Sequence, residues 1–179
     1  WYAINPSIES YAFSLNVSPQ YLTKNEFLSN LNTAIKETPH LDFKNIVIEI
    51  TEHAVIKNLD ECCRVLNELL GVGFRIALDD FGTGYSSLSH IAKLPLNYIK
   101  VDKIFSKNMN DVVMKSIINS IKKISDELNC LVIVEGVETS AEYEYIKSIG
   151  CSYVQGYYFS KELKENRVLH YLEHENNNH

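Results

Sequence analysis

Ala77-Leu78-Asp79-Asp80-Phe81-Gly82-Thr83-Gly84-Tyr85-Ser86-Ser87-Leu88 is the stretch that decides the fold. An apolar run from Phe74 to Leu78 ends in two adjacent carboxylates. A loop with two glycines and several hydroxyl side chains follows, and then an amphipathic segment begins. Strand, acidic end, glycine loop and helix is the order that sets charged chemistry at the carboxyl end of a parallel strand.

The same order recurs on both sides of it. Six strands are predicted, at Ala12–Val17, Ile46–Thr51, Arg75–Asp80, Tyr98–Asp102, Leu131–Glu135 and Tyr153–Phe159. Most are short and rich in Val, Ile or Leu, as strands covered on both faces are. Between them run helical stripes, among them Phe27, Leu28, Leu31 and Ile35, and then Ile117, Ile121, Ile124 and Leu128. Asp60 is predicted to cap one helix and Gly71 to end it, whereas Thr139 or Ser140 opens another that Gly150 closes. Pro95 breaks the segment ahead of the fourth strand. Regular strand–helix alternation predicts right-handed β-α units and a parallel sheet.

Composition narrows the function. A chain of 179 residues fits one domain with a substantial core. Its formal net charge of -6 argues against a duplex nucleic-acid (DNA) surface but leaves room for a small phosphorylated ligand if metal ions supply positive charge. No apolar run is long enough to span a bilayer, and no signal-peptide pattern opens the chain. Cys62, Cys63, Cys130 and Cys151 lack zinc or disulfide spacing and read as reduced, mostly buried thiols of a cytoplasmic protein. The polar end, residues 174–179, reads as a frayed tail.

Polar residues stand at the end of every predicted strand: Asn16, Glu49 with Glu52, Asp79 with Asp80, Lys100 with Asp102, Glu135 with Glu138, and Gln155. One such carboxylate is ordinarily a solvated charge. Six strands in register at one end argue for a site. Glu49 lies between Ile48 and Ile50, inside an apolar strand, and buried carboxylates gathered together need cations to compensate them. Oxygen ligands without Cys or His favour Mg²⁺ or Mn²⁺ over zinc. Adjacent Asp79 and Asp80 suit a pair of ions, one residue bridging both and the other holding one, as in two-metal phosphoester sites.

These motifs resemble the EAL domains, the phosphodiesterases that hydrolyse the bacterial second messenger cyclic di-GMP. The residues that carry the match are Asn16-Val17-Ser18, Glu49-Ile50-Thr51-Glu52, Asp79 through Leu88, Ile99-Lys100-Val101-Asp102, Glu135-Gly136-Val137-Glu138-Thr139 and Gln155-Gly156-Tyr157-Tyr158-Phe159. The resemblance implies an α/β fold, a (β/α)₈ TIM-like barrel with the site at its C-terminal face, over residues 1–173.

It also implies the roles of individual residues. Asn16, Glu49 and Asp79 hold a first metal. Asp79, Asp80 and Glu135 hold a second, with Glu135 as general base. Lys100 contacts the nucleophilic water, Glu52 holds the glycine-rich loop, and Gln155 with Glu138 lines the nucleotide site, although Glu52 and Glu138 read equally well as helix-start acids that complement the macrodipole. The reaction implied is in-line attack of hydroxide on one phosphodiester, giving linear pGpG. A homodimer is expected, in a longer parent protein with sensor or diguanylate cyclase-type domains, the parent either cytoplasmic or anchored at a membrane.

The match departs from the family in two places. The Glu-Ala-Leu motif and the first two strands are absent, so the chain is expected to be a fragment of an intact domain or to complete its sheet with a partner. Glu162 stands where the family usually has proline. The competing function is an inactive EAL-like module that binds cyclic di-GMP or a protein partner. An unrelated Mg²⁺ barrel enzyme is a third reading that no motif supports. Tyr157-Tyr158 reads as barrel packing, and Ser86 or Ser87 as a helix cap rather than a nucleophile.

Overall fold

A computed structural model describes residues 11–52, 58–83, 87–109 and 111–174. Gly84, Tyr85 and Ser86 of the glycine loop, the opening at Trp1 and the tail beyond His174 lie outside the described residues.

Six strands form one parallel sheet in sequence order. They are β1 (Phe13–Asn16), β2 (Ile46–Thr51), β3 (Arg75–Phe81), β4 (Tyr98–Val101), β5 (Leu131–Val134) and β6 (Tyr153–Val154). The helices among the described residues are α1 (Pro19–Leu22), α2 (Asn25–Glu37), α3 (Leu59–Val72), α4 (Leu88–Ile91), α5 (Lys103–Ser106), α6 (Val112–Glu127), α7 (Ser140–Ser148) and α8 (Glu165–His174). Every neighbouring strand pair is parallel. The arrangement is part of a (β/α)₈ barrel.

All six predicted strands form, but the last is much shorter than the predicted Tyr153–Phe159. Its chain turns away at Gly156, where a Cβ would collide with the backbone of Val137. Two predicted helix ends also move. Asp60 lies within the first turn of α3, whose N-cap is Asn58, and Gly71 lies inside the same helix. The left-handed residue that ends α3 is Gly73, at φ 115°, two positions beyond the predicted stop. At α7 the prediction holds: Thr139 and Glu142 cap each other's backbone amides in a full capping box.

Alternation along each strand separates two cores. Ile46, Ile48, Ile50, Ile76, Leu78, Ile99, Val101, Val132 and Val134 join helix residues such as Leu66, Leu69, Ile118 and Ile146 in the large core. On the other face Val47, Ala77 and Tyr98, with Ile133 against them, form a small apolar floor. Arg75 Nη1 donates to the Tyr98 hydroxyl at 2.6 Å beneath it. Two residues further along the same four strands stand Glu49, Asp79, Lys100 and Glu135. Side chains two apart share a face, so the apolar floor and the charged group above it belong to one surface.

Ile99 has no exposed surface, so Ile99→Ala is expected to cost about 2–5 kcal/mol, measured by denaturant unfolding. The four cysteines are free thiols. Burial pushes the Cys151 thiol up to about 11, and only the thiolate reacts. Alkylation of Cys151 at neutral pH is therefore expected to be slow, rising with pH well past the range where an ordinary cysteine is already fully reactive. Mass-spectrometric labelling rates across pH check this.

Candidate active site

The site begins with backbone hydrogen bonds that extend the sheet past its formal strands. Val17 N donates to Glu49 O at 2.9 Å, Glu135 N to Val101 O at 3.0 Å, and Gln155 N to Val134 O at 2.8 Å. Asn16 pairs in register with Glu49, and Thr51 with Asp79. The strand ends are thereby held level, and Glu49, Asp79, Lys100 and Glu135 meet at one mouth.

Lys100 sits at the centre of that mouth, 5% exposed. Its Nζ donates to Glu49 Oε2 at 2.7 Å and reaches Asp79 Oδ1 at 2.9 Å and Glu135 Oε1 at 2.7 Å. An ammonium has three N–H bonds, and these three carboxylates use them all. Burial works against the charge on Lys100, but its hydrogen bonds to Glu135, Glu49 and Asp79 outweigh that and hold it above the usual lysine range. Burial raises the Glu135 carboxyl; Lys100 pulls it back down, while Asp79 and Glu49 push it up again, and the balance stays above the usual carboxylate range.

Asp80 is arranged differently. Strand pairing between β3 and β4 slips between Leu78 and Phe81, and Asp80 takes a left-handed φ of 56° there. Its backbone N–H donates to Asp79 Oδ1 at 3.1 Å, and its carbonyl accepts from Thr83 Oγ1 at 2.8 Å. Burial, then Asp79 and Asp102, raises the Asp80 carboxyl. Asp102 also caps α5 through Ile104 N at 2.7 Å. Four carboxylates (Glu49, Asp79, Glu135 and Asp80) thus lie within electrostatic reach of Lys100, and a fifth, Asp102, acts on Asp80.

Glu52, 3% exposed, accepts from Gly82 N at 3.1 Å and so anchors the start of the glycine loop. Gly82 has φ 94°, and a Cβ there would meet the Phe105 ring at 2.9 Å, so the turn requires glycine.

The remaining expected residues stand apart from the Lys100 cluster. Asn16 is exposed at the end of the edge strand β1. Gln155 and Glu138 line a neighbouring cleft of about 250 Å³, together with Glu135, Lys103, Lys107, Tyr157 and Glu162. Glu138 lies 3.6 Å from Lys107 Nζ. Lys103, Lys107 and Glu162 carry no signal in the sequence as site residues, because loops from different strands bring them together. The tyrosine pair divides. Tyr158 packs against Tyr143 at 5.2 Å and Phe159 at 5.1 Å, as predicted, whereas Tyr157 is 50% exposed and turns into the cleft. Ser87 caps α4, accepting from Ser89 N.

A parallel sheet with acidic strand ends gathered over a glycine loop defines the class, and comparison places the chain within it. It belongs to the EAL domain family, whose model matches residues 3–162. PdeA of Borreliella burgdorferi, named a cyclic di-GMP phosphodiesterase, is 35% identical over 152 residues, which are 84% of this chain and 22% of that protein. MucR of Pseudomonas aeruginosa, named a bifunctional diguanylate cyclase/cyclic di-GMP phosphodiesterase, is 32% identical over 130 residues, 72% of this chain and 19% of that one. The chain therefore spans about a fifth of the length of these relatives. The crystal structure of the EAL domain of Mycobacterium smegmatis DcpA superposes with a TM-score of 0.89 at 28% identity, over 96% of this chain and 77% of that one.

Lys100→Met removes the ammonium and leaves three carboxylates facing one another. Removing one partner of a buried ion pair typically costs about 3–5 kcal/mol, and a loss of that order is expected in chemical denaturation. Saturating Mg²⁺ is expected to recover more stability in the variant than in the wild type.

Proposed function

We propose that the chain hydrolyses one phosphodiester of cyclic di-GMP to linear pGpG, using Mg²⁺ or Mn²⁺ held by Asn16, Glu49, Asp79, Asp80 and Glu135, two ions per site. The observation that carries the reading is the convergence of Glu49, Asp79 and Glu135 on Lys100 from four adjacent strands of an EAL domain chain. The donor set fits hard divalent cations. It is all oxygen, it outnumbers its one ammonium, and two of its carboxyls are raised by burial and like charge. Among the described residues no three His, Cys, Asp or Glu side chains stand as a ready ion site; Glu49, Asp79 and Glu135 face Lys100, and an ion would share their oxygens with it.

When bound, such cations lower the pKa of water and neutralise phosphoryl oxygens. The chain's own residues do the rest. Glu135, whose carboxyl is already raised, accepts the proton of the attacking water. Lys100, whose three N–H bonds all go to Glu49, Asp79 and Glu135, would orient that water and offset charge on the phosphate once one of these carboxylates turns to a cation. Glu52 keeps the glycine loop in place through the Gly82 amide, and Gln155 and Glu138 line the cleft that receives the nucleotide. The chain works within a longer protein that adds sensor or cyclase domains, acts as a homodimer and operates in the cytoplasm. No helix among the described residues is long and apolar enough to cross a membrane.

One observation favours a second reading, a module that binds cyclic di-GMP or a protein partner without cleaving. Lys100 already pairs with all three carboxylates and serves them as an internal counterion, the kind of contact a non-cleaving module would keep.

Incubation with cyclic di-GMP and Mg²⁺ or Mn²⁺, followed by chromatography, separates the two: pGpG supports hydrolysis, and binding without product supports the module. Glu135→Gln is expected to abolish turnover while binding stays measurable, and unchanged activity in that variant removes Glu135 from the mechanism. Ca²⁺ is expected to support binding but little hydrolysis.

A further inference from the structure

The cleft beside Glu135 holds a pair of side chains that the mechanism does not use. The Tyr157 hydroxyl donates to Glu162 Oε1 at 3.0 Å. The Glu162 carboxylate also accepts from its own backbone amide, and these hydrogen bonds hold it below the usual carboxylate range. These bonds orient the exposed Glu162 carboxylate beside Tyr157, and it is ionised at neutral pH. A carboxylate has roughly four acceptor positions, so two remain for a ligand. The Tyr157 ring beside it is half exposed, with Lys161 Nζ 5.8 Å from its centroid. Both side chains line the same cleft as Gln155 and Glu135.

We propose that Glu162 reads the guanine edge of the substrate, with Tyr157 orienting the carboxylate and offering its ring to the base. Guanine presents two adjacent donors on its Watson–Crick edge, N1–H and the N2 amino group, and an ionised carboxylate accepts from both at once. Adenine presents a bare N1 lone pair at the corresponding position, which a carboxylate repels. A half-exposed tyrosine ring is a stacking surface for either base and confers no choice between them. Of this pair, Glu162 is the one that distinguishes guanine from adenine. The inference rests on the cyclic di-GMP reading above and assigns its base specificity to a residue that lies where the family's resemblance leads one to expect proline.

The test exploits the amide isostere. In Glu162→Gln the side chain keeps its size but can donate to adenine N1 while accepting from adenine N6. Wild type and variant are titrated calorimetrically with cyclic di-GMP and with cyclic di-AMP, Ca²⁺ being present to limit turnover. The wild type is expected to prefer cyclic di-GMP. Glu162→Gln is expected to bind cyclic di-GMP about tenfold more weakly, the loss of one charge-assisted hydrogen bond, and to bind cyclic di-AMP more tightly than the wild type does. Tyr157→Phe, which keeps the ring but releases the carboxylate, is expected to weaken cyclic di-GMP binding by a smaller factor. In turnover with Mg²⁺, Glu162→Gln is expected to raise KM and leave kcat nearly unchanged. Equal affinity of Glu162→Gln and wild type for both nucleotides overturns this inference and leaves the proposed function standing. A wild-type chain that binds neither nucleotide overturns both together.

Discussion

One ammonium shared among three carboxylates is the constraint around which the open end of the sheet is built. Lys100 is almost wholly buried, and a buried lysine without partners would lose its proton or destabilise the fold. Glu49, Asp79 and Glu135 spare it that, at distances of 2.7–2.9 Å. The dependence runs both ways, because three desolvated carboxylates at such range repel one another unless a cation stands between them. Each of these side chains comes from a different strand. Any slip in register by one residue would turn a charge into the hydrophobic layer under the helices.

That register is enforced from below. Val47, Ala77, Tyr98 and Ile133 pack as a floor two residues before the four charged groups, so the apolar contacts and the ionic ones specify the same alignment. The exception is instructive. Between Leu78 and Phe81 the pairing slips and Asp80 turns left-handed. In an unbroken strand Asp79 and Asp80 would point to opposite faces. The irregularity lets Asp80 stay near Asp79 and Asp102 instead, at the cost of a backbone conformation that aspartate tolerates better than most residues.

Much of this was legible in the sequence because parallel strands advertise themselves. Runs such as Ile46–Thr51 and Arg75–Leu78 are buried on both faces and read as continuous apolar stretches. A glutamate inside one of them, as at Glu49, has no ordinary explanation on a surface. The misplaced elements have local causes. Asp60 and Gly71 carry the right chemistry for helix ends, but α3 continues to Val72 because its buried face, Cys62, Val65, Leu66 and Leu69, decides its length. The sixth strand stops early because Gly156 lets the chain press against Val137, a contact set by another loop. The direct attachment of Lys100 to three carboxylates, and the cleft joining Lys103, Lys107, Tyr157 and Glu162, depend on distances between loops. Spacing along one chain carries no trace of those.

The charge balance also bears on how the two functional readings weigh against each other. On one side of the mouth Lys100 sets one positive charge among Glu49, Asp79 and Glu135 and bonds to all three, so it offsets part of their charge. On the other side Asp80 lies near Asp79 and Asp102, and burial first, then their like charge, keeps its carboxyl raised although Lys100 pulls it down. A purely structural ion pair would have no reason to retain that second pair of acids beside it, still less to hold one of them in a left-handed conformation. One ammonium bonded to three carboxylates, with two more acids beside them, leaves a local deficit of positive charge. A deficit of that kind, at the end of a parallel sheet and beside a cleft large enough for a nucleobase, suits hard cations and a nucleotide better than it suits a protein partner, which sets nucleotide chemistry ahead of partner binding.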